Sequence, residues 1–257
     1  YFISWNKKIG GRMNSVGIIG FGRFGKILAN ILQKGFHIKV YDKKTKDSFH
    51  GIEYTSLNKI MNEKNIFIAV PIREFENIIN KISPLLKKGT TIIDVCSVKK
   101  YPTEIMIKKL NPDIGIIATH PMFGPDSFLS NNKLKMMLNN TRDVNQIFKF
   151  WKQYFKDQGI KVIEMTPDQH DLMAAKTQGV THFLGRMLKE FGIHKTQIDT
   201  QGFSDLLDLV DQTCNDTWEL YSDLQLFNPY TSTMIKNLKS ATDSLDNRLK
   251  ELQNVEN

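Results

Sequence analysis

The 257-residue sequence predicts an α/β protein, with a doubly wound parallel-sheet domain over residues 13–166 followed by an all-helical domain over 167–257. Three observations predict it. Short Val- and Ile-rich runs alternate with amphipathic stretches through the first 165 residues, a glycine-rich turn follows the first run, and from Pro167 onward the periodicity is helical with few strand signals. The length suits a sheet domain of roughly 150 residues and one smaller companion.

Each element follows from its own residues. Residues 16–20 form an apolar run that stops at glycine, the mark of a strand buried on both faces. Residues 26–33 place Ile27, Leu28, Ile31 and Leu32 at helical spacing, with Gly35 as terminator, and 38–41 read as a second strand. The alternation continues with strand 66–70, helix 74–86, strand 91–95, helix 102–110 and strand 114–118, then helix 144–158 and a last strand at 160–165. Right-handed crossovers on such a pattern give a parallel sheet covered on both sides. The boundary falls near Thr166, and the polar, helically patterned segment 231–256 faces solvent or a partner chain. Residues 1–12 read as a leader, vector remnant or wrongly assigned start, because Met13 follows and no signal-peptide core is present.

Composition narrows the function. Hydrophobic residues at 40% and charged residues at 24% suffice for a packed core. The longest apolar runs, 66–70 and 114–118, fall far short of the ~20 residues of a membrane-spanning helix. The net charge of +8 drops to +5 without Lys7, Lys8 and Arg12, and the basic residues are scattered without aromatic interleaving. That argues against nucleic acid and for a general attraction to small anionic metabolites. Cys96 and Cys214 have no metal-ligand or C-x-x-C spacing, so free thiols in a reducing cytoplasm and no metal are expected.

The turn Gly20-Phe21-Gly22-Arg23-Phe24-Gly25 matches G-x-G-x-x-G between a strand and a helix, which makes the sheet Rossmann-type. The first glycine permits the tight turn, the second lets the backbone approach a pyrophosphate, and the third lets helix pack on strand, while the helix N-terminus offers unpaired N–H groups. Asp42 stands 22 residues after Gly20, where a carboxylate accepts from the adenosine ribose hydroxyls. It therefore favours NAD over NADP, although Lys43 and Lys44 would partly offset its repulsion of a 2′-phosphate. Val70 and Pro71 leave a later strand on the nicotinamide side.

A hydride enzyme also needs a proton acceptor, and histidine suits that near neutral pH. His120 follows strand 114–118 in the turn-rich segment Thr119-His120-Pro121-Met122-Phe123-Gly124-Pro125, beside the cofactor cleft. Together with Asp94-Val95-Cys96-Ser97-Val98-Lys99, that segment resembles the paired signature of the prephenate and arogenate dehydrogenases, over most of residues 16–228. The resemblance implies that His120 accepts the ring-hydroxyl proton as hydride leaves the same carbon. It implies that Ser97 hydrogen-bonds to that hydroxyl and to the histidine, beside the cofactor.

In the second domain Gln178, His182 and Arg186 are spaced for one helical face, with Thr181 between them. By resemblance this helix reaches the substrate, Arg186 meeting a carboxylate. Asp216, in Cys214-Asn215-Asp216-Thr217-Trp218, resembles the acidic residue that accompanies arogenate preference in the plant-like branch, where a carboxylate faces the substrate amine. That branch favours NADP, whereas Asp42 argues for NAD. The resemblance thus implies NAD-linked oxidative decarboxylation of arogenate to tyrosine, with prephenate as the alternative substrate, and a homodimer formed through the helical domain. Two rivals remain: a β-hydroxyacid dehydrogenase using Lys176 as its catalytic lysine, and a dinucleotide sensor without catalysis.

Overall fold

The computed structural model describes residues 15–44, 49–124, 128 and 134–255. The expected leader, Pro125 and the last residues of the segment ending at 256 lie outside them. The chain separates into two compact units, Tyr1–Asp168 and Gln169–Asn257.

The first unit holds an eight-stranded sheet in the order β3-β2-β1-β4-β5-β6-β7-β8. Its strands are β1 Ser15–Ile19, β2 His37–Tyr41, β3 Ile52–Tyr54, β4 Asn65–Ile68, β5 Thr91–Asp94, β6 Gly115–Pro121, β7 Lys135–Arg142 and β8 Lys161–Glu164. All neighbours pair in parallel except β6 and β7. Helices α1 Arg23–Leu32, α2 Leu57–Ile60, α3 Ile72–Ile82, α4 Lys100–Lys109 and α5 Phe148–Asp157 form the connections. The central strands are almost purely apolar because both faces are covered, as in β4, where all four residues are buried.

The core centres on α5. Phe148, Trp151, Tyr154 and Phe155 fall on one helical stripe and are all buried. The Trp151 ring meets Phe67 edge-on with centroids 5.0 Å apart, and its Nε1–H donates to Asn65 Oδ1 at 3.2 Å. Tyr154 Oη lies 2.8 Å from the Ile31 carbonyl and 3.1 Å from that of Leu32, within reach of the last free carbonyls of α1. Burial raises this phenol's pKa, so it stays protonated as a donor.

The structure departs from the sequence reading at several edges. β6 runs on to Pro121 instead of stopping at 118, because the unforeseen antiparallel β7 pairs with it as far as Pro121. The short pair β3 and α2 was not foreseen, and the expected helix 74–86 begins at Ile72 and tightens into a 3₁₀ turn at Ser83–Leu85, where Pro84 cannot continue an α-helix.

The second unit is helical. After α6 Pro167–Ala174, which begins at the boundary, a π turn at Ala175–Gly179 leads into α7 Val180–Phe191, α8 Gln201–Cys214, α9 Trp218–Leu226 and α10 Thr231–Val255. Thr200 and Thr217 cap α8 and α9 through side-chain bonds from Phe203 N and Leu220 N. Gly185 lets α7 and α8 touch, since a Cβ there would lie 1.9 Å from Thr213 Oγ1. A cavity of about 340 Å³ beside the π turn is lined by Leu172, Val180, Tyr230 and Met234, with exposed Lys176 at its edge. Among the described residues no helix is long and apolar enough to cross a membrane.

Candidate active site

Strand order reverses between β1 and β4, so their carboxyl ends open the crevice where doubly wound sheets take ligands. The glycine turn stands there. Gly20 has φ +97°, and a Cβ on it would meet the Ala69 carbonyl oxygen at 2.3 Å. A Cβ on Gly25 would meet the Gly20 carbonyl oxygen at 2.5 Å, so the third glycine sets the distance between α1 and the turn. Gly22 differs, because among the described residues a Cβ there would meet nothing within 4 Å. Its missing side chain answers no steric constraint among the described residues.

Gly22 also N-caps α1, whose first turn carries no side-chain cap and no acidic residue. The N-terminal end of the helix dipole and exposed Arg23 present positive potential at that end. A nucleotide pyrophosphate fits this cradle, which a Cβ on Gly22 would obstruct. Asp42 follows β2 and binds backbone on both oxygens: Phe21 N–H donates to Oδ2 at 2.6 Å and Lys44 N–H to Oδ1 at 2.7 Å. The carboxylate therefore holds the glycine turn against the end of β2. Val70 is half-buried and Pro71 exposed just beyond β4, Pro71 serving as N-cap of α3.

The Ser97 and His120 segments close the same edge. β5 and β6 pair in register with Asp94 opposite Ala118, so Ser97 lies three residues beyond the end of β5 and His120 two beyond that pairing. Thr119 Oγ1 donates to the Asp94 carbonyl at 2.6 Å, tying the strand ends together. The sequence reading put His120 in a turn after its strand. Instead it lies within β6, opposite Met137 of β7, and is 3% exposed, so antiparallel pairing fixes its backbone. Ser97 is half-buried. The two motifs meet: Phe24, in the first turn of α1, packs its ring 6.1 Å from that of Phe123, three residues after His120.

Sequence reasoning assigned no role to Lys99. Its side chain is fully buried, and Nζ donates to Asp94 Oδ1 and to the Thr119 carbonyl. Asp94 Oδ1 also accepts from Cys96 N–H at 3.0 Å, while Oδ2 has no partner among the described residues. Complete burial pushes the Asp94 carboxyl up, against the pull of Lys99. The one signal in the sequence is a lysine following the apolar Val98, five residues after a strand-terminal aspartate.

In the second unit His182, Arg186 and Asp216 come together, whereas Gln178 lies in the π turn. His182 and Arg186 stand four residues apart within α7, while Gln178 stands in the π turn just before it. Thr181 is exposed and donates to the Gln178 carbonyl at 2.9 Å. The Arg186 guanidinium lies 5.3 Å from the Tyr221 ring and 5.8 Å from that of Trp218, and donates to the Asp216 carbonyl. Arg186 Nε and His182 Nδ1 are buried without partners among the described residues. Burial holds the His182 imidazole below its ordinary value, with Asp216 opposing and Arg186 adding to the shift. Among the described residues no group of three His, Cys, Asp or Glu side chains is placed to hold a metal ion.

Comparison with known proteins places this geometry. Residues 32–164, more than half of the chain, match the family model described as prephenate dehydrogenase, nucleotide-binding domain. The chain belongs to the prephenate dehydrogenase family. Residues 187–257 match a second model, the TYRAAT1-like C-terminal domain. Among curated relatives of the family, arogenate dehydrogenase 1, chloroplastic, of Arabidopsis thaliana is 31% identical over 95% of this chain and 41% of its own length. A probable arogenate/prephenate dehydrogenase of Methanocaldococcus jannaschii is 27% identical over 93% of this chain and 55% of its own. The chain thus spans about half the length of these two relatives. The crystal structure of prephenate dehydrogenase from A. aeolicus, in complex with hydroxyphenyl propionate and NAD+, shares the fold with a TM-score of 0.76 at 21% identity, covering 94% of this chain and 92% of that one.

Proposed function

We propose that the chain catalyses NAD-dependent oxidative decarboxylation of arogenate to tyrosine. The observation that carries this reading is the meeting of the glycine turn and the His120 segment through Phe24 and Phe123 at the edge where strand order reverses. A dinucleotide held on Gly20, Phe21, Gly22, Arg23, Phe24 and Gly25, with Val70 and Pro71 beyond β4, has its redox end beside Ser97 and His120. When bound, the nicotinamide supplies a two-electron acceptor for hydride.

His120 takes the proton of the ring hydroxyl as hydride leaves the same carbon, so a carbinol becomes a carbonyl. Ser97 hydrogen-bonds to that hydroxyl and orients it toward the imidazole. The ring carboxylate then departs as carbon dioxide, and the electrons of the broken C–C bond enter the ring as it aromatises. Burial of His120 keeps bulk water from competing for the proton.

In the second unit we assign Arg186, with His182, Gln178 and Thr181, to the substrate's anionic groups and Asp216 to its amine. Arg186 Nε and His182 Nδ1 are donors or acceptors in search of a partner, which supports that assignment. A carboxylate beside an amino acid is attractive and beside a keto acid is not, so Asp216 favours arogenate over prephenate. Asp42 likewise favours NAD over NADP, because a second anion opposes a 2′-phosphate. We further propose a homodimer built on the helical unit, supported by Leu245, Leu249 and Leu252 of α10, which are 61%, 62% and 66% exposed at spacings of one helical turn. A reducing cytoplasm suits the two free thiols.

The test is initial NAD(P)H formation by the purified chain with arogenate and with prephenate, each with NAD and NADP. Highest kcat/KM for arogenate with NAD is expected. Preference for prephenate overturns the role of Asp216, preference for NADP that of Asp42, and silence with every pair overturns the dehydrogenase reading.

A further inference from the structure

Lys99 carries a charge in a place where charge is expensive. A side chain with no exposure to water loses the hydration of its ammonium, and pairing with Asp94 restores only part of that energy. An apolar pair of similar volume would serve stability at least as well. The position of the pair is more telling than its strength. Asp94 ends β5, Lys99 is N-cap of α4, and Thr119 is joined to His120 by a peptide bond.

From this geometry we propose that Lys99 is a positioning residue, whose buried ammonium clamps the Ser97 turn to the strand that carries His120. The inference rests on the catalytic reading of Ser97 and His120. The bond to Asp94 closes residues 94–99 into a loop with Ser97 inside it, and Cys96 N–H adds a second tie to the same carboxylate oxygen. The bond to the Thr119 carbonyl fixes that loop against β6 one residue before His120. Thr119 Oγ1 makes the return link to the Asp94 carbonyl. Two contacts thus join the two strand ends, Lys99 Nζ to the Thr119 carbonyl and Thr119 Oγ1 to the Asp94 carbonyl, and both act on backbone near the reacting pair rather than on substrate. Burial pushes the Asp94 carboxyl up, and the charge and hydrogen bond of Lys99 oppose that shift.

The experiment compares wild type with Lys99→Met and with Asp94→Asn/Lys99→Met, the double variant leaving no unpaired buried charge. Thermal melts and NADH titration by fluorescence establish folding and cofactor binding, and arogenate and prephenate kinetics follow. Both variants are expected to bind NADH within about twofold of wild type and to keep KM within about threefold. Their kcat should fall by at least about tenfold, because a misplacement of about 1 Å between reacting groups costs up to about a hundredfold. A merely structural role would move the melt and leave kcat per folded molecule alone. A folded double variant with wild-type kcat overturns the proposal. Should both variants melt without a cooperative transition, Thr119→Val removes one link at constant volume: a fall in kcat of about threefold supports the clamp, and unchanged kcat overturns it. Wild-type silence with both substrates would instead bring down the dehydrogenase reading, and this inference with it.

Discussion

Alanine at Gly22 and alanine at Gly20 should separate binding from folding. At Gly20 the added Cβ meets a backbone oxygen at 2.3 Å, and the residue sits at φ +97°. The conformational penalty is about 1–2 kcal/mol and the overlap adds about 1–3 kcal/mol, for roughly 2–5 kcal/mol in all. A unit of this size loses about 2–4 °C per kcal/mol, so Gly20→Ala should melt roughly 5–20 °C lower. At Gly22 nothing among the described residues lies within 4 Å of an added Cβ and φ is −72°, so only the poorer N-cap counts, about 0.5–1 kcal/mol or a few degrees. Yet its methyl group fills space in front of the helix N-terminus, so NADH should bind at least about tenfold more weakly, a loss of about 1.4 kcal/mol. Differential scanning fluorimetry reads the first quantity and nicotinamide fluorescence titration the second. Wild-type NADH affinity in a folded Gly22→Ala protein would refute the placement of the pyrophosphate, and an undisturbed melt in Gly20→Ala would refute the steric reading of the turn.

Two further outcomes follow from burial. Trp151→Ala empties the centre of the aromatic cluster and removes the hydrogen bond to Asn65 Oδ1, so urea unfolding should show a loss of about 3–5 kcal/mol, and a loss under 1 kcal/mol would contradict the packing described. His182 is held below its ordinary value of 6.5, so the unfolded chain takes up its proton first as pH falls. Its contribution to stability is therefore complete above that pH and declines below it, and His182→Gln should flatten the stability–pH curve in that acid window, as urea melts from pH 4.5 to 8 would reveal.

The glycine turn was legible because each constraint leaves a residue type behind. A strand that ends in glycine, two further glycines at fixed offsets and an acid at the end of the next strand identify β1, α1 and β2 without tertiary information. The central strands were equally plain, since burial on both faces yields unbroken Ile and Val. β7 was not. Met136, Met137 and Leu138 are a short buried run among polar neighbours, without the alternation of a half-exposed strand. Missing β7 led the reading to end β6 at Ala118 and to place His120 in a turn. The Lys99 bonds escaped for a similar reason: a lysine near a strand end reads as solvated until the neighbouring strand shows that no water reaches it. The π turn at Ala175–Gly179 leaves no composition signature, so Gln178 was read as part of a regular α-helix.

The most direct measurement is NADH production from arogenate by wild type and by His120→Asn, with NADH affinity titrated in both. A proton acceptor at the sheet edge requires kcat to fall by about 10²–10⁴-fold in the variant at unchanged NADH affinity. Turnover within a few-fold of wild type would mean that the proton leaves by another route and that the His120 segment, for all its contact with the glycine turn, is not where the chemistry happens.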